Sequence, residues 1–311
     1  MTKAIPKICM VGSSMVDLVA RVPQLPKAGE TLTGSEFAIG FGGKGSNQAV
    51  MAARLGAQVS VLVKLGRDVF GENTLQNYRD HDIDVTHVMF DDERFSGVAP
   101  IAVEDATGQN SIIVVPGANE GLSIEDVRQA APAIAEADVL ICQLEIPIQS
   151  TLEAFRLAKQ GAATTILNPA PALPLPDDLL RLTDILVPNE VEAAMMVGTP
   201  ISSLEEGLAA AQGFLERGPK IVVITMGERG AVFTEVGTAP QHVPIEAVQA
   251  VDTTGAGDAF VGSLAYFVAL ELTLEDAISR SCAIASRSVL KRGTQTSFPY
   301  ASEVSDLLVG V

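Results

Sequence analysis

Short, almost uninterrupted apolar runs recur along this chain, and most are followed by a segment of helical periodicity. The runs are Lys7–Val11, Val59–Val63, Val139–Cys142, Thr164–Leu167, Ile185–Val187, Ile221–Thr225 and Ala231–Thr234. A strand with one wet face alternates polar and apolar residues, whereas a strand covered on both faces is apolar throughout. Helix-period segments lie at Ser46–Leu55, Ser123–Ala135, Ser150–Lys159, Ser203–Arg217, Ala256–Leu270 and Leu274–Leu290. Strand alternating with helix builds βαβ units. The expected fold is therefore α/β, a mostly parallel doubly wound sheet with helices on both faces. The 311 residues suffice for one such domain with a small appendage. Apolar residues make up 47% of the chain, but Trp is absent and aromatics are 5%, so the core must rest on aliphatic side chains.

Two stretches break the rhythm. Val16–Ile39 contains PQLPKAGETLTGSEFAI, and Gly97–Val115 reads as a hairpin turning around Asp105–Gly108. Together they are expected to form a small β-sheet, a lid over the main body. The competing reading is two long decorated loops. The expected division is a core of residues 1–14, 41–96 and 117–311, with a lid of 15–40 and 97–116. The Pro-rich stretch Asn168–Asp178 is short enough to be a loop.

The balance of 21 basic against 38 acidic residues gives a net charge of −17, which repels nucleic acid. An anionic substrate would need a local electropositive site, which helix N-termini can supply. Cys9, Cys142 and Cys282 follow no metal spacing and read as buried thiols in a reducing compartment. The opening MTKAIPKICMVG reads as a strand, not a signal peptide, and the apolar run Ala259–Leu270 is too short for a bilayer. A soluble cytoplasmic protein is expected.

The sharpest local signal is DTTGAGDAF, residues 252–260. It follows a weakly strand-like Val248–Val251 and opens a strongly apolar helix. Gly255, Ala256 and Gly257 then fall in a turn at the helix N-terminus, where small residues admit a phosphate to bare N–H groups. Asp258 would stand just inside the helix, beside that anion hole. A carboxylate there can take the proton of a hydroxyl as its oxygen attacks phosphorus. The plainer alternative is a helix-terminal Asp that satisfies free N–H groups.

A second signal is GFGGKGSNQ, residues 40–48. It is not a P-loop, because Gly45 rather than Ser or Thr follows Lys44. It lacks the dinucleotide spacing as well. It can be a turn whose N–H groups, Lys44 and Asn47 bind a polyol, or simply a turn capped by Ser46. Asp17, Glu145, Asn168, Asn189, Glu192 and Thr225 each lie at or just beyond a strand end, where open α/β sheets bind ligands. His81, His87 and His242 share no spacing with a nucleophile or ligand set and read as surface residues.

The pair GGKGSNQAV (42–50) and DTTGAGDAF (252–260) resembles the two signatures of the ribokinase-type carbohydrate kinases. The likeness extends through GSSMVD, PKAGET, QLEIP, LNPAP, PNEVE, TMGERG and KRGTQTSFP, essentially the whole chain. The resemblance implies ATP-dependent phosphorylation of a sugar, with the 5-hydroxyl of D-ribose as the expected acceptor. It implies Asp258 as base and Gly255, Ala256 and Gly257 as the anion hole. Asp17, Gly43, Lys44, Asn47 and Glu145 would contact the sugar. Asn189 and Glu192 would organise Mg2+ and phosphate. Thr225, Met226, Gly227, Glu228, Arg229 and Gly230, with Gly257 and Cys282, would line the nucleotide. Asp252, Thr254, Ser288, Lys291, Gly293 and Ser297 would hold an activating K+. Lids of this family often pair, so a homodimer is expected.

The chain departs from that pattern at two positions. The family commonly has Asn where this chain has Met15, and a thioether cannot replace an amide that donates and accepts. Cys282 stands where relatives often place a polar residue near the adenine. A same-family kinase for another sugar or a nucleoside, and a non-catalytic sugar- or nucleotide-binding regulator, are the alternatives. The intact Asp258 and its glycines argue against the regulator.

Overall fold

A computed structural model describes residues 5–310. Residues 1–4, the start of the opening stretch read above, lie outside the described residues, as does residue 311. The strands are β1 (Lys7–Val11), β2 (Met15–Val22), β3 (Glu36–Gly42), β4 (Gln58–Gly66), β5 (Asp84–Asp91), β6 (Gly97–Glu104), β7 (Asn110–Ile112), β8 (Val139–Cys142), β9 (Thr164–Leu167), β10 (Ile185–Leu186), β11 (Ile221–Thr225), β12 (Ala231–Glu235) and β13 (Gln241–Val243). The helices are α1 (Lys44–Arg54), α2 (Val69–Asp80), α3 (Ile124–Gln129), α4 (Ala131–Glu136), α5 (Ile148–Ala158), α6 (Asp177–Arg181), α7 (Glu190–Val197), α8 (Leu204–Leu215), α9 (Ala256–Ala269) and α10 (Leu274–Ser288).

Nine strands form the main sheet in the order β13-β12-β11-β10-β9-β8-β1-β4-β5. All neighbours from β11 to β5 are parallel, and β12 and β13 continue the sheet antiparallel. Alternate residues of β1 enter opposite cores. Ile8 and Met10 pack with α1, α9 and α10, while Cys9 and Val11 pack with α3–α5 and α8. That two-sided burial is why the central strands are apolar at every position.

The second sheet, β3-β2-β6-β7, is separate. Its hairpin β6–β7 turns over residues 105–107, as the sequence predicts, and β2 runs parallel to β6 although antiparallel to β3. The two stretches expected to form a small β-sheet do so, and the competing reading of two decorated loops falls.

Several elements differ from expectation. The helix expected over Ser123–Ala135 is two short helices, broken before Pro132, which has no N–H to give and crowds the preceding turn. The segment Val248–Val251 is not a strand: it finds no sheet neighbour, and Val248 and Val251 lie exposed. Strand β5 escapes the apolar-run criterion because it is an edge strand whose polar and apolar residues intermix.

On this frame the chain first winds one way from β1, to β4 and β5, then the other way, through β8, β9, β10 and β11. The order reverses between β1 and β8, and open α/β sheets bind ligands at that reversal, beyond the carboxyl ends of the strands.

Candidate active site

Glycine packing fixes the entry to α1. Gly43 has φ 84, and a Cβ there would come within 2.7 Å of the Met15 nitrogen. A Cβ on Gly42 would meet the Asp17 carboxylate at 2.5 Å. The helix starts at Lys44, with Gly43 at its cap and no side-chain cap, so Ser46 is not the N-cap the sequence allowed. Its hydroxyl accepts instead from Gln295 Nε2 (3.0 Å). The helix is anchored to the end of β8 through Glu145, whose carboxylate accepts from the Lys44 N–H (3.0 Å) and from the Ser13 hydroxyl.

Strand β2 presents Met15 and Asp17 on one face, two residues apart. Their partners on β3 are Gly42 and Gly40, so no side chain from β3 fills the space beside them. Ser14, just before the strand, is clamped by the buried Asn119, which exchanges 2.9 Å hydrogen bonds with both its N–H and its carbonyl. Met15 is buried and Asp17 half-buried.

Asp258 occupies the third position of α9. Gly255 before it is left-handed (φ 79), and a Cβ there would lie 2.6 Å from Thr294 Cγ2. Ala256 N–H is bonded to the Thr253 carbonyl (3.2 Å). The N–H groups of Gly257 and Asp258 belong to the first helical turn, which has no intrahelical acceptor to offer, and they remain free for an anion. The Asp258 carboxylate does not cap them. It accepts from Asn47 Nδ2 (2.8 Å) on one oxygen and from Gln48 Nε2 (3.0 Å) on the other. Asp258 is buried, and no cation is paired with it among the described residues.

Electrostatics draw the predicted residues into one cluster. Burial, then the charges of Glu145 and Asp258, push the Asp17 carboxyl up to about 6. Burial also raises Glu145 above its usual range, against the pull of Lys44 and the Ser13 hydroxyl. Glu192 is raised by burial as well, with Lys44 opposing and Asp258 adding. Burial alone would lower the Lys44 ammonium, but Asp258, Glu145 and Glu192 outweigh it and hold it above its ordinary value. Three carboxylates, Asp258, Glu145 and Glu192, thus act on one ammonium, and Asp17 adjoins two of them.

Asn189 and Glu192 form a capping box on α7: Asn189 Oδ1 accepts from the Glu192 N–H (2.8 Å), and Glu192 Oε2 from the Asn189 N–H (2.9 Å). Asn189 also bridges Thr225 at the end of β11. The turn that follows, 226–230, is closed by Met226 N–H on the Gly230 carbonyl (2.7 Å). Arg229 is engaged by Glu190 and by the Ser202 carbonyl. Cys282 lies buried in α10, and burial pushes its thiol up to about 12.

The two segments expected to bind a cation are sewn together. Asp252 accepts from the N–H groups of Thr254 (3.0 Å) and Gly293 (2.9 Å), while the Val289 carbonyl accepts from Val251 and Asp252. These contacts hold the Asp252 carboxyl below its usual range although burial works the other way. Ser288 and Ser297 turn their hydroxyls to the carbonyls of Ala285 and Thr294, and the Lys291 ammonium binds Glu303.

All three histidines are half-buried rather than on the surface. His81 Nδ1 donates to the Asn77 carbonyl (2.8 Å), leaving Nε2 to accept from Arg54. His242 Nε2 donates to the Arg229 carbonyl (2.7 Å). The surface placement expected of them is thus corrected, and His81 and His242 are tied into the fold by these bonds.

Gln48, Gln143 and Gln295 escape the sequence reading. Gln48 adjoins Asn47 in the quoted motif, yet neighbours on a helix point about 100° apart, so spacing gives no reason for both to reach one carboxylate. Gln295 is 248 residues from Asn47 and carries no local signal.

The model of the pfkB family carbohydrate kinases matches residues 5–301 of the chain. A mouse (Mus musculus) ribokinase is 44% identical over 301 residues, covering 96% of this chain and 93% of the mouse protein. A deoxyribokinase of Salmonella typhi is 40% identical over 304 residues, covering 97% and 98% of the two. Among solved structures, the ribokinase of Arabidopsis thaliana complexed with ribose and ATP superposes with a TM-score of 0.90 at 30% identity, covering 99% of this chain and all of the other.

Proposed function

From a chain that belongs to the pfkB family of carbohydrate kinases, we infer a specific reaction: transfer of the γ-phosphate of ATP to the 5-hydroxyl of D-ribose, giving ribose 5-phosphate. The observation that carries this reading is Asp258. It is a buried carboxylate held by two amides, with no cation paired to it among the described residues, in the helix turn whose Gly257 and Asp258 N–H groups are free. A hydroxyl placed between carboxylate and N–H groups loses its proton to Asp258 as its oxygen attacks phosphorus, and the amides Gly257 and Asp258 take up the phosphoryl charge. Asp17, with neither hydrogen bond nor ion pair to a protein group among the described residues, is free to accept from sugar hydroxyls.

ATP brings Mg2+, which binds mainly through phosphates and one or two carboxylates. We assign one to Glu192, a buried carboxylate near Lys44 and Asp258. The turn 225–230 and Cys282 face the nucleotide. An Asp252 carboxylate set among carbonyls and hydroxyls of two sewn loops suits a large hard cation such as K+. The small sheet acts as a lid, with residues 15–40 and 97–116 as its span. Its outer face leaves Phe37 and Ile39 exposed, opposite Met15 and Asp17, which favours a homodimer joined through the lids. No helix of the described residues is long and apolar enough to cross a membrane, and three free buried thiols fit a reducing, cytoplasmic setting.

A second reading has its own support. Met15 shares the face of Asp17 and offers no hydrogen bond, so a sugar with one hydroxyl fewer, 2-deoxy-D-ribose, loses nothing there. A coupled ADP-release assay over D-ribose, 2-deoxy-D-ribose, other sugars and nucleosides, run in potassium and in sodium, decides among these. Turnover on D-ribose, faster in potassium, is the expected result. Turnover only on another acceptor removes ribose, and equal rates in the two salts remove the potassium site.

A further inference from the structure

Two ladders of side-chain amides converge on Asp258. On one side Asn168 Nδ2 donates to the Val187 carbonyl (2.8 Å), so its Oδ1 points away and accepts from Gln48 Nε2 (3.0 Å). The same Nε2 donates to Asp258, and Gln48 Oε1 accepts from Gln143. On the other side Asn77 Nδ2 donates to Gln295 Oε1 (3.0 Å). Gln295 Nε2 in turn donates to Asn47 Oδ1 (3.1 Å), and Asn47 Nδ2 donates to Asp258 (2.8 Å).

An asparagine amide has nearly the same shape either way round, but oxygen accepts where nitrogen donates. Turned over, Asn47 would aim its oxygen at the carboxylate and replace a hydrogen bond to an anion by repulsion. The donor that Gln295 places on Asn47 Oδ1 opposes that turn. Gln295 is itself fixed. Arg54 Nη1 holds its carbonyl and that of Phe298, both at 2.6 Å, while the guanidinium lies 4.4 Å over the Tyr300 ring. Asn77 and Gln295 are both buried, so water does not substitute for either partner.

We propose that Gln295 is a positioning residue for phosphoryl transfer: it locks the Asn47 amide in the sense that donates to Asp258. The proposal rests on the reading of Asp258 as base. Gln295 acts through Asn47 and not on the substrate, and it ties the carboxyl-terminal loop to the reacting carboxylate.

The test is a double-mutant cycle on the full chain. Gln295→Glu keeps the size and still accepts from Asn77, but has no hydrogen to give, so Asn47 turns its NH2 away from Asp258. The expected fall in kcat/KM is about 10- to 100-fold, the worth of one hydrogen bond to a charged group. In an Asn47→Ala background the same substitution should cost less than about twofold, because the partner through which it acts is gone. Wild-type activity in Gln295→Glu overturns the proposal. So does an equal fold loss in both backgrounds, the mark of a merely structural role. If circular dichroism shows Gln295→Glu unfolded, Gln295→Met, which also lacks the donor and adds no charge, is read by the same two criteria. Asp258→Ala, measured in parallel, separates the premises: retained turnover there removes the base itself, whereas lost turnover with an inert Gln295 removes only the lock.

Discussion

Among the described residues the Asp17 carboxylate stands among other carboxylates without a hydrogen-bonding or ion-pair partner, and replacing it should make the fold more stable while ruining the enzyme. Its carboxyl is pushed from 3.8 up to about 6 by burial and by the charges of Glu145 and Asp258. Between about pH 4 and about pH 6 the native carboxyl keeps a proton that the unfolded chain has released. The native state binds more protons there, so stability falls as pH rises through that window. At about 1.4 kcal/mol for each pH unit between the two values, the cost reaches up to about 3 kcal/mol at neutral pH. Asp17→Asn keeps the shape and removes the charge. Urea denaturation should show wild type and variant alike near pH 4, with the variant ahead by about 2–3 kcal/mol at pH 7.5. The same substitution should raise the sugar KM steeply, since an amide cannot accept from two hydroxyls with both its groups. A stability gap that does not change with pH, or a variant weaker than wild type at pH 7.5, would refute the reasoning, because either outcome means the Asp17 charge is not held at a cost.

Met15→Asn restores a donor and an acceptor on the face of Asp17. It should move the ratio of kcat/KM for D-ribose over 2-deoxy-D-ribose upward by about fivefold to tenfold, the worth of one ordinary hydrogen bond. An unchanged ratio would mean that the side chain at this position does not meet the sugar. Phe37→Lys combined with Ile39→Glu should lower the mass by light scattering from two chains to one without unfolding the protein. A wild-type chain that is already monomeric, or a doubly substituted one that still pairs, would remove the lid as the dimer contact.

The central βαβ rhythm was legible because strands such as β8 and β9 are covered on both faces, and that burial writes itself into every residue. Strand β5 was not, since at a sheet edge only part of its surface is covered and polar residues are tolerated. Helix α7 was hidden by its eight-residue length, although its capping pair, Asn189 and Glu192, stood out as polar residues at a strand end. Asp258, Gly255 and Gly257 were legible as a group because a helix start with a left-handed glycine and a first-turn carboxylate lies within a few consecutive positions.

The local sequence by itself determined the α/β class, the glycine-lined helix start and the presence of a carboxylate beside it. Those features depend on periodicity and near-neighbour chemistry, which a linear sequence records. The tertiary structure alone decided what the carboxylate rests on. Asn47 and Gln48 reach Asp258 across more than two hundred residues, and Gln295 reaches Asn47 across a similar span. Such contacts leave no spacing behind, because the sheet order that brings α1, α9 and the carboxyl-terminal loop together is fixed by packing of the whole core. Asp258 therefore emerged from the sequence as a candidate base, and from the fold as a buried carboxylate held between two amide ladders.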